Sequence, residues 1–136
     1  TANNLIGCEG VPVNLSGSPA SGTWTVPNPY SGPSTTYQHM YTDNYGCSNT
    51  SIPMTITMHS PANAGANGTL AICANAAGTT MIDSLNGSPM SGGIWYGPSS
   101  VTNGQYVPAT MTPGNYTYVV TAPYCPDASA MLVVQK

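Results

Sequence analysis

The sequence is nearly without charge. It holds one cationic side chain, Lys136, and four acids, Glu9, Asp43, Asp83 and Asp127, so 4% of its 136 residues are charged, against about 25% in an ordinary soluble chain. A nucleic-acid binder neutralises phosphates with a basic stripe, and one lysine builds none. The same shortage excludes a polybasic membrane anchor, and no apolar run approaches the ~18 residues of a membrane span. Neither nucleic acid nor membrane insertion is therefore expected. Two histidines and four acids are a thin supply of titratable groups. The four cysteines include no C-x-x-C pair, which argues against a structural zinc site. No catalytic centre, metal or cofactor is expected. A secretory leader is also missing, so Thr1 reads as the start of a processed chain or of an excised segment.

What is present points to strands. Gly 15, Pro 13 and abundant Ser, Thr and Asn mark frequent turns. Hydrophobic residues make up 40% of the chain and its net charge is only -3, so repulsion does not hold it unfolded. Leu15-Ser-Gly-Ser-Pro-Ala-Ser-Gly-Thr-Trp24 recurs as Leu85-Asn-Gly-Ser-Pro-Met-Ser-Gly-Gly-Ile-Trp95. Each copy has a cysteine upstream, a tyrosine-rich stretch, a second cysteine and a closing aliphatic run, which is one unit used twice. Tyr37, His39 and Tyr41 alternate on one face, as do Tyr116, Tyr118 and Val120. Ile52, Met54, Ile56 and Met58 are expected to point inward, with Pro53 leaving a free edge at the start of that strand. The fold class is all-β: two tandem small antiparallel β-sandwiches, module 1 over residues 1–58, a linker over 59–67 and module 2 over 68–136.

A module of about 65 residues buries a marginal core, and disulfides are the usual supplement. Four cysteines, Cys8, Cys47, Cys73 and Cys125, permit three pairings. The repeat favours Cys8–Cys47 and Cys73–Cys125, each copy closing on itself, at roughly 4 kcal/mol apiece in the chain-entropy model. The order Cys, Trp, Cys is that of immunoglobulin domains, but Cys47 follows the turn Asp43-Asn-Tyr-Gly46 and stands at a strand end, so an antibody-type bridge between sheets is not assumed.

Several motifs together carry a resemblance: Gly-Ser-Pro-x-Ser-Gly-x-Trp, Gly104-Gln-Tyr-Val-Pro-Ala109, Gly114-Asn-Tyr-Thr-Tyr118, Tyr41-Thr-Asp-Asn-Tyr-Gly-Cys-Ser-Asn-Thr50 and Thr55-Ile-Thr57. The pattern resembles the immunoglobulin-like repeats of Bacteroidetes surface adhesins, including the very large gliding-motility adhesins. Copy one departs from it at Pro27–Pro33, where a strand is missing or irregular, and copy two replaces the Asp-x-x-Gly-Cys turn with Ala122-Pro-Tyr-Cys-Pro126. The resemblance implies an extracellular module that spaces, displays or polymerises, without catalytic residues. It also implies export by the type IX route and O-glycosylation at Asp-Ser/Thr followed by a small or aliphatic residue, for which Asp83-Ser84-Leu85 makes Ser84 the candidate.

The remaining chemistry is sparse. His39 and Asp43 share a strand face but lie ~13 Å apart, too far for a hydrogen bond. His59 reads as solvated, and Glu9 is the only other catalytic candidate. Paired carboxylates about 5–10 Å apart cannot be assembled with any economy from four scattered acids. Asp43, Asn44 and Asp127 supply too few oxygens for calcium, and turn chemistry explains them better. Trp24 and Trp95, repeated at equivalent places, are core. Tyr30, Tyr45, Tyr96 and Tyr124 are the candidate surface-stacking aromatics. Sequons stand at Asn14, Asn49, Asn67, Asn86 and Asn115. So neutral a surface is hydrated by Ser, Thr, Asn and glycans, or it lies against neighbours. The expected function is an extracellular structural or adhesive repeat, a segment of a surface adhesin or a filament subunit, at the cell surface or in a secreted filament. Its partners are copies of itself, neighbouring repeat domains or surface polysaccharide. Segments 1–7 or 130–135 would pair with the open edge of the next subunit. The alternative is a carbohydrate-binding module of a secreted protein.

Overall fold

A computed structural model describes residues 3–136. The chain is all-β, with one short 3-10 turn at Ile82–Ser84. It divides into two compact units. Unit 1 is Thr1–Pro61 together with Ala122–Cys125, and unit 2 is Ala62–Thr121 together with Pro126–Lys136.

Unit 1 carries β1 (Leu5–Cys8), β2 (Thr23–Trp24), β3 (Thr35–Tyr37), β4 (His39–Thr42), β5 (Ser48–Thr50) and β6 (Met54–His59). They form two small sheets, ordered β1-β6-β3 and β2-β4-β5. The alternation read from Tyr37 to Tyr41 holds, with Tyr37 and His39 buried and Tyr41 half-buried. One strand was expected there, yet Gln38 passes the chain from one sheet to the other, since β3 pairs with β6 and β4 with β2 and β5. A second crossing follows β5. Ser51–Pro53 leads into β6, and Ile52 is 75% exposed rather than inward. The connection between sheets, not the period of the strand, decides where that side chain goes. The core is Leu15, Tyr37, Ile56 and Met58, with Trp24 and Tyr30 packed against it.

Unit 2 carries β7 (Gly68–Ala71), β8 (Thr79–Thr80), β9 (Ile94–Tyr96), β10 (Gln105–Tyr106) and most of β11 (Gly114–Ala122) and β12 (Cys125–Gln135). Its sheets run β7-β12-β11-β9 and β10-β8. Tyr106, Tyr116, Tyr118, Met81, Leu132 and Val134 are the heart of a second core. Pro123 and Tyr124 connect β11 to β12, and Tyr124 takes the positive φ of 59° that so short a turn requires.

The sheets are not wholly antiparallel. β1 pairs in parallel with β6, Leu5 opposite Ile56, and β7 pairs in parallel with β12, Leu70 opposite Val134. Short turns force antiparallel neighbours, but residues 9–53 separate the first strand of copy one from its last and residues 72–124 do so in copy two, and no turn fixes their direction. Both segments expected to donate strands to a neighbour are thus already paired at home: Leu5–Cys8 on β6, and β12 between β7 and β11. Thr1 and Ala2 lie outside the described residues.

The segment 59–67 is not slack chain. His59 ends β6, and Ala64 is buried in the core of unit 2. Ala66 exchanges backbone hydrogen bonds with Asn86 at 2.7 and 3.0 Å. Its small residues serve close approach: a Cβ on Gly65 would stand 2.5 Å from the Asn86 carbonyl oxygen.

Candidate functional site

The feature that sets this chain apart is its sulfur. Cys8 is bonded to Cys125, with Cα atoms 5.0 Å apart and a sequence separation of 117. Cys47 and Cys73 are free thiols, both exposed. The expected pairings Cys8–Cys47 and Cys73–Cys125 are therefore corrected, and the parallel strands explain why. Cys125 opens the eleven-residue β12, whereas Cys73 follows β7, whose Ala71 pairs with Gln135 at the far end of β12. At ~3.3 Å per residue that is about 33 Å along the strand, far beyond the ~7 Å Cα limit of a disulfide. In copy one Cys8 lies opposite His59 at the end of β6, while Cys47 stands seven positions before Met54, its beginning.

Two hairpin tips present the second cysteine of each copy. In copy one Asp43 builds the tip. Its Oδ1 accepts from the amides of Tyr45 at 2.8 Å and Cys47 at 2.9 Å, and Gly46 turns the chain with a φ of 85°. Asp43 is thus a turn former, bonded to these amides rather than to His39. Tyr45 projects from the tip, 93% exposed. In copy two the tip Ala122–Cys125 belongs to unit 1. Tyr124 stacks on His59 with centroids 4.8 Å apart, and the Cys125 sulfur lies 3.5 Å from the His59 carbonyl oxygen and 3.4 Å from that of Ser60. His59, expected to be solvated, is half-buried.

Of the four aromatics expected at the surface, Tyr45, Tyr96 and Tyr124 are exposed. Tyr30 is not one of them. It packs against the core of unit 1, its amide bonds the Val13 carbonyl, and its hydroxyl donates to the Pro33 carbonyl at 2.7 Å.

The repeated glycine motif has a packing role. Trp24 faces His39 at 4.5 Å and Trp95 faces Tyr118 at 4.8 Å, at the same register of their strand pairs. The glycine two residues before each tryptophan lies on that partner ring. A Cβ on Gly93 would be 2.6 Å from the Tyr118 ring, and one on Gly22 would be 2.4 Å from His39 Nε2. Tyr118 uses its hydroxyl fully, donating to the Met90 carbonyl at 2.6 Å and accepting from the Gly93 amide at 2.9 Å. The shorter His39, 3% exposed, leaves Nε2 buried and without a hydrogen-bond partner. A groove of about 430 Å³ lined by His39, Tyr41, Ile52 and Met54 adjoins it.

Ser84 is half-buried in the 3-10 turn. All five sequon asparagines are exposed, yet three are in use: Asn86 Nδ2 donates to the Asn67 carbonyl, Asn67 Oδ1 accepts from the Met131 amide and Asn49 Oδ1 from the Thr50 amide. Lys136 donates to the carbonyls of Pro108 and Met111, at 2.9 and 3.4 Å. Among the described residues no group of three or more His, Cys, Asp or Glu is placed to hold a metal ion. No helix among them is long and apolar enough to cross a membrane.

The pairing Cys8–Cys125 left one signal in the sequence. Cys47 and Cys125 each stand seven positions before equivalent core residues, Met54 and Leu132, while Cys8 and Cys73 each close the motif Leu-x-x-Cys. They are two kinds of position rather than two closed pairs. No protein-family model matches the chain, and no curated protein matches it significantly.

Proposed function

We propose that the chain is an extracellular structural or adhesive protein of two tandem immunoglobulin-like modules, a segment of a surface adhesin or the subunit of a filament, without catalysis. The Cys8–Cys125 bond carries this reading. A pull along the chain enters through residues 1–8, crosses the sulfurs and leaves through residues 125–136, so residues 9–124 stay out of the load path. A load-bearing repeat gains from such a bypass. Disulfides persist in oxidising compartments, which supports a location outside the cytosol. The charge-poor exterior, with Ile6, Ile52, Ile94 and Tyr96 exposed, suits lateral contact with neighbouring repeats or copies of the chain. Ser84, in the Asp-Ser-Leu motif, is the position for an O-linked glycan.

A carbohydrate-binding module is the second reading, favoured by the groove at His39, whose volume falls in the range of small-ligand pockets. Negative-stain imaging and sedimentation of the concentrated chain separate the two. Elongated, concentration-dependent particles are expected. A dissolved monomer at every concentration and condition, with tryptophan fluorescence quenched by one polysaccharide, overturns the structural reading.

A further inference from the structure

The two free thiols are not equivalent to each other. Each is the counterpart of one half of the existing bond. Cys73 ends Leu70-Ala-Ile-Cys as Cys8 ends Leu5-Ile-Gly-Cys, and both follow a first strand paired in parallel with the last strand of the same copy. Cys47 matches Cys125: both sit at the tip of the hairpin that precedes that last strand, seven positions before Met54 and Leu132. A second residue repeats the correspondence. Tyr124, beside the bonded Cys125, is stacked on His59, whereas Tyr45, at the tip that carries Cys47, has no ring against it and is 93% exposed. Asp43 holds that tip in shape through two amides, so its thiol and its ring are presented together.

We infer that Cys47 and Cys73 are the two ends of a disulfide ladder, Cys73 of one copy of this chain bonding to Cys47 of the next, in the manner of Cys8 to Cys125. The inference rests on the structural reading above. The oxidant is a small disulfide of the glutathione type. The Cys47 thiolate of one copy attacks it and forms a mixed disulfide with release of one small thiolate. The Cys73 thiolate of the other copy then attacks the Cys47 sulfur, and the second small thiolate leaves. Two protein thiols lose two electrons and two protons, and the oxidant becomes two small thiols. The polarity is fixed by the module, since a hairpin-tip cysteine meets a strand-end cysteine and not its own kind. Repetition gives an open, head-to-tail assembly.

The test uses the full chain with Cys8–Cys125 intact, and the variants Cys47→Ser and Cys73→Ser, in a glutathione redox buffer. Near-ultraviolet circular dichroism confirms that each is folded, as expected for two exposed positions. The unmodified chain is expected to give dimers, trimers and longer species on non-reducing gels. Each variant alone stays monomeric, and an equimolar mixture yields one heterodimer and stops there, at least about tenfold above either homodimer. Random thiol pairing gives a heterodimer only about twofold above each homodimer, and that result overturns the inference, as does a Cys47–Cys73 bond within one chain or no cross-link at all. Should cross-links fail while the reduced chain still forms elongated particles, the ladder falls and the structural reading stands; if the particles are absent too, both fall.

Discussion

Force applied along the chain separates a bonded pair from an unbonded one most sharply. With Cys8 joined to Cys125, the only extensible segments between the ends are residues 1–8 and 125–136, about 70 Å when fully stretched. Reduction frees the chain between the sulfurs, a sequence separation of 117, which at ~3.4 Å per residue adds about 400 Å. Single-molecule stretching of a polyprotein carrying the chain between stable marker domains reads both lengths. Unfolding under oxidising conditions is expected to show no release longer than about 70 Å, and reductant to unmask extensions summing to about 400 Å more. Equal release with and without reductant refutes the load bypass. The same bond also restricts the unfolded chain, by about 5 kcal/mol in the chain-entropy model for a loop of this length, so reduction should lower the denaturation midpoint in proportion.

Further outcomes follow from the packing. Tyr118→Phe removes a hydroxyl that both donates and accepts and strands the Met90 carbonyl and the Gly93 amide; it should cost about 1–3 kcal/mol in urea unfolding. His39→Phe deletes a nitrogen that bonds nothing and should cost less, so a larger loss at His39 than at Tyr118 contradicts the packing account. Gly68→Ala drives a Cβ to 1.9 Å from the Ser84 carbonyl oxygen, and a midpoint unchanged from the parent chain would show that β7 does not lie on that turn. Burial pushes the Tyr106 phenol above its ordinary 10.0, and Tyr116 adds to the rise. With the folded value above the unfolded one, its contribution is full below pH ~10 and is lost as pH climbs through the folded value. Ultraviolet titration, with Tyr106→Phe as the reference that lacks this phenol, should therefore show Tyr106 ionising above 10.0 in the folded chain, and ionisation at 10.0 contradicts its burial.

Much of the architecture was legible because it rests on local chemistry. The duplicated Gly-Ser-Pro motif, the period-two tyrosines and the inward setting of Trp24 and Trp95 all follow from local pattern and from its repetition. The errors arose where distant segments meet. Nothing local says that Gln38 and Ser51–Pro53 carry the chain between sheets, and Ile52 was misplaced for that reason. Direction was lost in the same way: β1 and β6 share no turn, so their parallel pairing left no mark at Leu5 or Ile56. That parallel pairing decides the sulfur chemistry, since it sets the two cysteines of each copy at opposite ends of the last strand. Segment 59–67 shows only small residues, Gly and Pro in the sequence, and which of them pack closely, as Ala64 and Gly65 do, depends on the distant Asn86 and the core of unit 2.

The pairing itself is open to one direct measurement. Free thiols are alkylated under native conditions, and the unreduced chain is cleaved before each aspartate, giving fragments 1–42, 43–82, 83–126 and 127–136. Mass spectrometry should find 1–42 linked to 83–126 and a separate 43–82 carrying two alkylated cysteines, Cys47 and Cys73. Fragment 43–82 linked to both 1–42 and 83–126, as closure of each copy on itself requires, contradicts the account.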